Sequence, residues 1–162
     1  MRDPYRRPDH AGRQTLCTRR PVHRFRFRLH LRRVAGKPAV RAVLEPLHHA
    51  GLLAICGAVE LEILYSATSK RDAEQIRDEL RGFDWLPTPD EVWDRAAEVQ
   101  ALLIDTGNWR ALSIVDLVVA GVAERHRATV LHYDGDFDMI AAVTGQPTQW
   151  VVPPGSIEER AP

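Results

Sequence analysis

Cysteine is scarce in this 162-residue chain. Cys17 and Cys56 are too few and too unpatterned for a disulfide framework or a zinc site, which points to a reducing compartment. Long apolar runs are missing too. None approaches the ~18 residues of a membrane span, so no membrane partner is expected and the location implied is cytoplasmic. There is no internal repeat and no low-complexity linker. Net charge is also missing, but the formal zero hides two opposite parts. Residues 1–37 carry eleven Arg and one Lys against Asp3 and Asp9, a balance of +10. Residues 38–162 carry ten basic and twenty acidic side chains, a balance of −10. An acidic body gains no affinity for RNA from bulk charge, although bound divalent ions reverse the sign locally. The hydrophobic fraction of 44% and charged fraction of 27% are ordinary for a globular chain. The length suits one domain with a real core.

The first 37 residues do not read like the rest. Pro and Arg dominate 1–21 with no apolar periodicity to offset ordering entropy, so that stretch is expected to be disordered. Residues 22–34 alternate, with Phe25, Phe27, Leu29 and Leu31 on one face and Arg24, Arg26, Arg28 and His30 on the other. That is the pattern of a half-exposed strand, expected at a sheet edge or as a loose fit, because a central parallel strand is apolar on both faces. A basic RNA-binding arm and a transit peptide are two readings of residues 1–37. The preferred one is an out-of-frame or misassigned coding sequence fused to a domain: Arg and Pro enrichment with almost no Lys is what GC-rich DNA gives in a wrong frame.

From Pro38 the pattern is orderly. Val40, Val43, Leu44 and Leu47 follow helical spacing up to Gly51, with Pro46 set to kink or shorten the helix. Leu52 to Cys56 is a short apolar strand, followed by helices over Ala58–Ala67 and Lys70–Arg81 and a brief strand over Phe83–Leu86. Thr88-Pro89-Asp90-Glu91 predicts a helix start with a Thr cap, and that helix runs through Val92, Ala96, Val99 and Leu103. Phe137–Val143 is a short helix, Gly145-Gln146-Pro147 a turn, and Trp150–Val152 the last strand. Strand and helix alternate, so the class is α/β with a parallel sheet. The expected division is 1–37 as an aberrant segment, 38–154 as the domain and 155–162 as a tail.

The chain is organised around residues 113–142. Ser113 lies three residues ahead of Asp116, as at the start of a capping box, and the acid falls in the first helical turn. Val115, Val118, Val119 and Val122 give that helix one apolar face. Ala128–Tyr133 reads as a buried strand ending in Asp134-Gly135-Asp136-Phe137-Asp138. Ligands of open α/β sheets collect at the carboxyl ends of strands. Asp134 is at such an end, and Asp116 opens the preceding helix. Carboxylates converging there repel unless a cation holds them. Each also has a plain reading: Asp134 as a turn residue before Gly135, Asp116 as a complement to the helix dipole, Asp136 as a helix cap and Asp138 as a solvated side chain. His132 reads as a packed strand histidine rather than a general base. His48 and His49 are adjacent rather than at ligand spacing. Trp85, Trp93, Trp109 and Trp150 are scattered among core and rim.

A helix opening on Asp, followed by a strand that ends in Asp-x-Asp-Phe, with a Glu-bearing helix upstream, resembles the C-terminal half of PIN domains, most closely the VapC-type toxin ribonucleases. The resemblance covers roughly residues 38–154. It implies a three-layer α/β/α fold with a central parallel sheet, and an enzyme that cleaves RNA with Mg²⁺ or Mn²⁺. It also implies a paired VapB-like antitoxin and a homodimer. The catalytic acids it implies are Glu62, Asp116, Asp134 and Asp136, with Asp116, Asp134 and Glu62 as metal ligands. Glu62-Ile63-Leu64 matches the family's Glu better than Glu60, which lies on another side of the helix. One departure stands out: the family's apolar first strand ending in an Asp is missing or replaced, and Asp3 and Asp9 have no strand before them. The expectation is therefore an impaired ribonuclease. The alternatives are a non-catalytic relic that keeps antitoxin or RNA binding, and a flavodoxin-like regulatory domain, which lacks its early phosphoacceptor Asp here.

Overall fold

The structure, a computed structural model, describes residues 25–26, 34, 36–107, 110 and 112–157. Strand β1 (Phe25–Arg26) pairs in parallel with β2 (Leu53–Ile55) on one side and β4 (Thr129–His132) on the other, Phe25 being level with Leu53 and Thr129. β2 also pairs with β3 (Asp84–Trp85), and β4 with β5 (Thr148–Trp150), all parallel. The order is therefore β3-β2-β1-β4-β5. Every residue of β2 and β4 is buried. Strands of that kind need cover on both faces, which makes the body a three-layer α/β/α domain.

β1 corrects an expectation. A strand from 22–34 was anticipated at an edge or as a loose fit; the edge position is overturned, because Phe25–Arg26 pairs on both sides in the centre of the sheet. The slot between β2 and β4 has to be filled, because both would otherwise turn unpaired backbone groups inward. The remaining expectations for 1–24 and 27–33 lie outside the described residues.

The helices follow the apolar periodicity closely. α1 (Pro38–His49) carries Pro46 inside it and is not shortened there. Proline forfeits one helical bond, but its own carbonyl accepts from the Ala50 N–H at 3.0 Å, and Gly51 at φ 65° lets the Leu52 N–H reach the Leu47 carbonyl at 2.9 Å. α2 (Gly57–Tyr65) follows β2 directly, and α3 (Lys70–Leu80) is capped by the Ser69 hydroxyl. α4 (Glu91–Asp105) starts later than the Thr88 cap predicts, since a turn with Val92 N–H donating to the Pro89 carbonyl comes first. α5 (Ile114–Arg125) and α6 (Asp136–Thr144) flank β4 in sequence. β5 begins upstream of the predicted Trp150–Val152, because the Pro147 carbonyl already accepts from the Val130 N–H and sets the register there.

α5 is more enclosed than a single apolar face suggests: every residue from Asp116 to Ala123 is buried. α4, α2 and α6 all pack against it, as does β4. α4 approaches closely at Gly121, where a Cβ would stand 3.2 Å from both Val92 Cγ1 and the Val92 carbonyl oxygen. Arg95 ties the two helices at the surface through Glu124 at 2.8 Å, and Arg125 does so through Glu91 at 3.2 Å. Exposed pairs of this kind contribute little. The backbone hydrogen bond and the Arg125 guanidinium hold the Glu91 carboxyl below its usual range. Past Pro154, Ile157 is buried and its N–H donates to the Tyr133 hydroxyl at 3.2 Å. Among the described residues no helix is long and apolar enough to cross a membrane.

Candidate active site

Because the five strands are parallel, their carboxyl ends share one edge. From β1 the chain winds outward to β2, and from β4 it winds the other way to β5. The winding direction reverses between β1 and β4, and such a reversal opens a crevice at the carboxyl edge where ligands bind. Asp134 follows the end of β4 at that point. It is half-buried, and its Oδ1 accepts from the Asp136 N–H at 2.9 Å. This is the side-chain turn expected of an Asp before Gly. The turn and the site position coexist, since one carboxylate oxygen makes the turn bond.

Asp116 reaches the same edge from α5. That helix leads into β4 through a short turn and packs on it, so its N-terminus lies back at the strand's carboxyl end. The predicted capping box is formed. Asp116 Oδ2 accepts from the Ser113 N–H at 2.9 Å and from the Ser113 hydroxyl at 2.7 Å, while the Asp116 N–H donates to Ser113 Oγ at 3.3 Å. Asp116 is fully buried, its Oδ1 included. A helix N-terminus is the position where a carboxylate is most readily tolerated in such surroundings. Replacing Ser113 by Ala is expected to cost about 1 kcal/mol and lower the melting midpoint by roughly 4 °C, read by thermal denaturation. An unchanged midpoint would show that the capping box contributes nothing.

Glu62 comes from α2, which starts at the carboxyl end of β2 and packs on α5. It is half-buried with Oε2 withdrawn from solvent. Asp136 is the first residue of α6, whose cap position is Gly135, so Asp136 is an acid of the first turn rather than the cap. The four predicted acids thus share one edge of the sheet. They do not form a closed cage: among the described residues, no three His, Cys, Asp or Glu side chains gather to hold an ion.

Asp138 is less idle than a solvated residue. Its Oδ2 accepts from Trp150 Nε1 at 3.0 Å, and its Oδ1 lies 3.8 Å from His132 Nε2. Half of its side chain remains exposed, so the solvated reading holds only in part. His132 is packed as expected, fully buried with its ring 4.9 Å from Trp150 and 5.4 Å from Phe137. The i+4 spacing of Asp138 from Asp134 hinted at its proximity, but no spacing reveals that Trp150 is level with His132 across β4 and β5. His48, in the last turn of α1, has its ring tilted against that of Phe83 with centroids 4.9 Å apart.

The donors at this edge are all carboxylates, hard oxygen ligands suited to Mg²⁺ or Mn²⁺ rather than to zinc. Mg²⁺ keeps several waters and needs only one or two protein carboxylates, so Asp116 and Asp134 fit it in kind.

The PIN domain family model matches residues 29–143. Ribonuclease VapC21 of Mycobacterium tuberculosis is 47% identical over 131 residues, covering 80% of this chain and 91% of its own length. Ribonuclease VapC51 of the same species is 43% identical over 123 residues, covering 76% of this chain and 89% of its own. Among solved structures, the crystal structure of VapBC2 from Rickettsia felis bound to a DNA fragment from their promoter covers 78% of this chain and 97% of its own, with a TM-score of 0.64. At 16% identity that likeness is one of fold.

Proposed function

Since the chain belongs to the PIN-domain family, in its VapC ribonuclease branch, we propose that it is a Mg²⁺- or Mn²⁺-dependent ribonuclease toxin whose cleavage is impaired. One observation carries this reading. Asp134 and Asp116 meet the carboxyl edge beside β1, and no carboxylate is available at β1 itself. Between Asp9 and Glu45 the sequence holds no Asp or Glu, and Phe25–Arg26 lies in the middle of that span. The central strand Phe25–Arg26 therefore lies in acid-free sequence, where the family resemblance implies an apolar strand ending in Asp.

A divalent ion bound there would polarise the phosphate and lower the pKa of an attacking water. Asp116 and Asp134 would hold it, Glu62 would orient a water from α2, and Asp136 would flank the site from the start of α6. The Ser113 box fixes Asp116, and the Asp136 N–H fixes Asp134. The substrate class is RNA. The body's excess of acid makes this chemistry dependent on the cation.

The acid-free central strand also favours a second reading, a non-catalytic relic that keeps partner binding. A cleft of about 360 Å³ lies among α1, α2, α3 and β2, lined by Leu44, Ile63, Ile76, Leu80 and Phe83 with Arg41, Glu45, His48 and Glu79. It would take apolar side chains of a VapB-like antitoxin. Leu61 and Tyr65, exposed one turn apart on α2, are candidates for a homodimer face. A cytoplasmic setting belongs to the same reading.

Calorimetric titration with Mn²⁺ tests the metal assignment. Weak binding is expected in the unmodified chain and none when Asp116→Ala and Asp134→Ala are combined. Thermal stability should also rise with Mn²⁺, because only the native state presents the site. Unchanged binding in the double variant would remove the site.

A further inference from the structure

We infer that His132, packed against Trp150 and facing Asp138, is a positioning residue for Asp134, setting the direction in which its carboxylate leaves β4. The inference rests on Asp134 being a metal ligand, as proposed above. β4 ends at His132, and the Asp134 N–H, two residues on, donates to His132 Nδ1 at 3.4 Å. A neutral imidazole that accepts at Nδ1 carries its proton on Nε2. That nitrogen faces Asp138 Oδ1 at 3.8 Å.

Asp138 is fixed in turn. Its second oxygen takes the Trp150 indole N–H at 3.0 Å, and the Trp150 ring lies 4.9 Å from the imidazole it helps to orient. α6 and β5 therefore pack against a ring on β4, and that ring accepts from the amide of Asp134, two residues on. On the other side the Asp136 N–H holds Asp134 Oδ1 at 2.9 Å. Asp134 is thus fixed through its own amide and through one carboxylate oxygen. A histidine that merely filled the core would not need the amide contact.

The test uses the full chain, with His132→Leu, His132→Asn, Trp150→Phe and Asp134→Ala. Mn²⁺ affinity is read from the loss of the free-ion electron spin resonance signal, and exchange of the Asp134 amide is read by NMR. His132→Leu should accelerate that exchange and weaken Mn²⁺ binding roughly tenfold, the scale of a lost outer-shell partner. His132→Asn, which keeps an acceptor near the Nδ1 position, should recover most of both. Trp150→Phe, which removes the N–H that holds Asp138 and part of the ring packed on His132, should shift both in the same direction by less. Unchanged exchange and affinity in His132→Leu overturn the inference. If that variant does not fold, the same result in Trp150→Phe overturns it. Unchanged Mn²⁺ affinity in Asp134→Ala overturns the metal assignment and the inference with it. Loss of binding in Asp134→Ala with neutral His132 and Trp150 variants overturns the inference alone.

Discussion

Replacing residues 1–37 by an apolar strand that ends in Asp-Thr-Ser is expected to raise metal-dependent RNA cleavage on the order of a hundredfold or more. The position is already set. β1 occupies the centre of the sheet between β2 and β4, so a new strand there would bring its terminal Asp to the edge that holds Asp134 and Asp116. A missing metal ligand forfeits charge stabilisation worth several kcal/mol, and each ~1.4 kcal/mol is tenfold in rate. Added EDTA should abolish the restored activity, and so should Asp134→Ala. A replaced strand that folds, binds Mn²⁺ and yields no cleavage would show that the impairment lies elsewhere.

The largest effect on stability is expected from Phe137→Ala. Phe137 is fully buried in the first turn of α6, with its ring 5.4 Å from that of His132. Removing a buried Phe side chain costs about 3–5 kcal/mol once the cavity is included. A domain of this kind has only about 5–15 kcal/mol in total, so the variant should be near its unfolding threshold. α6 begins immediately after the Asp134 turn, so the loss falls on the element that carries the site. Urea denaturation measures it, and a change below about 1 kcal/mol would mean that the pocket closes over the missing ring.

The segment around Asp116 and Asp134 was legible because local rules decide it. A capping residue, a helical apolar period and an acid after a short apolar strand each act within a few residues, and Ser113, α5 and β4 formed as those rules require. Val92, Ala96, Val99 and Leu103 likewise took the buried face of α4. What escaped depends on contacts between distant segments. The central place of β1 follows from its two neighbours, and its alternating arginines pointed toward an edge instead. The start of β5 is set by Pro147 bonding to Val130, a register that no local pattern encodes. Asp138 read as solvated because Trp150, its hydrogen-bond donor, reaches it only through the pairing of β4 with β5. Burial of α5 all round came from α4, α2 and α6 closing on it together, whereas its own period indicated one face.

The most direct measurement is RNA cleavage by the pure, unmodified chain with Mg²⁺ or Mn²⁺, with and without EDTA. The expected result is negligible cleavage, indistinguishable from that of Asp134→Ala. Robust, EDTA-sensitive cleavage that disappears in Asp134→Ala would contradict the impairment and make this chain a working nuclease.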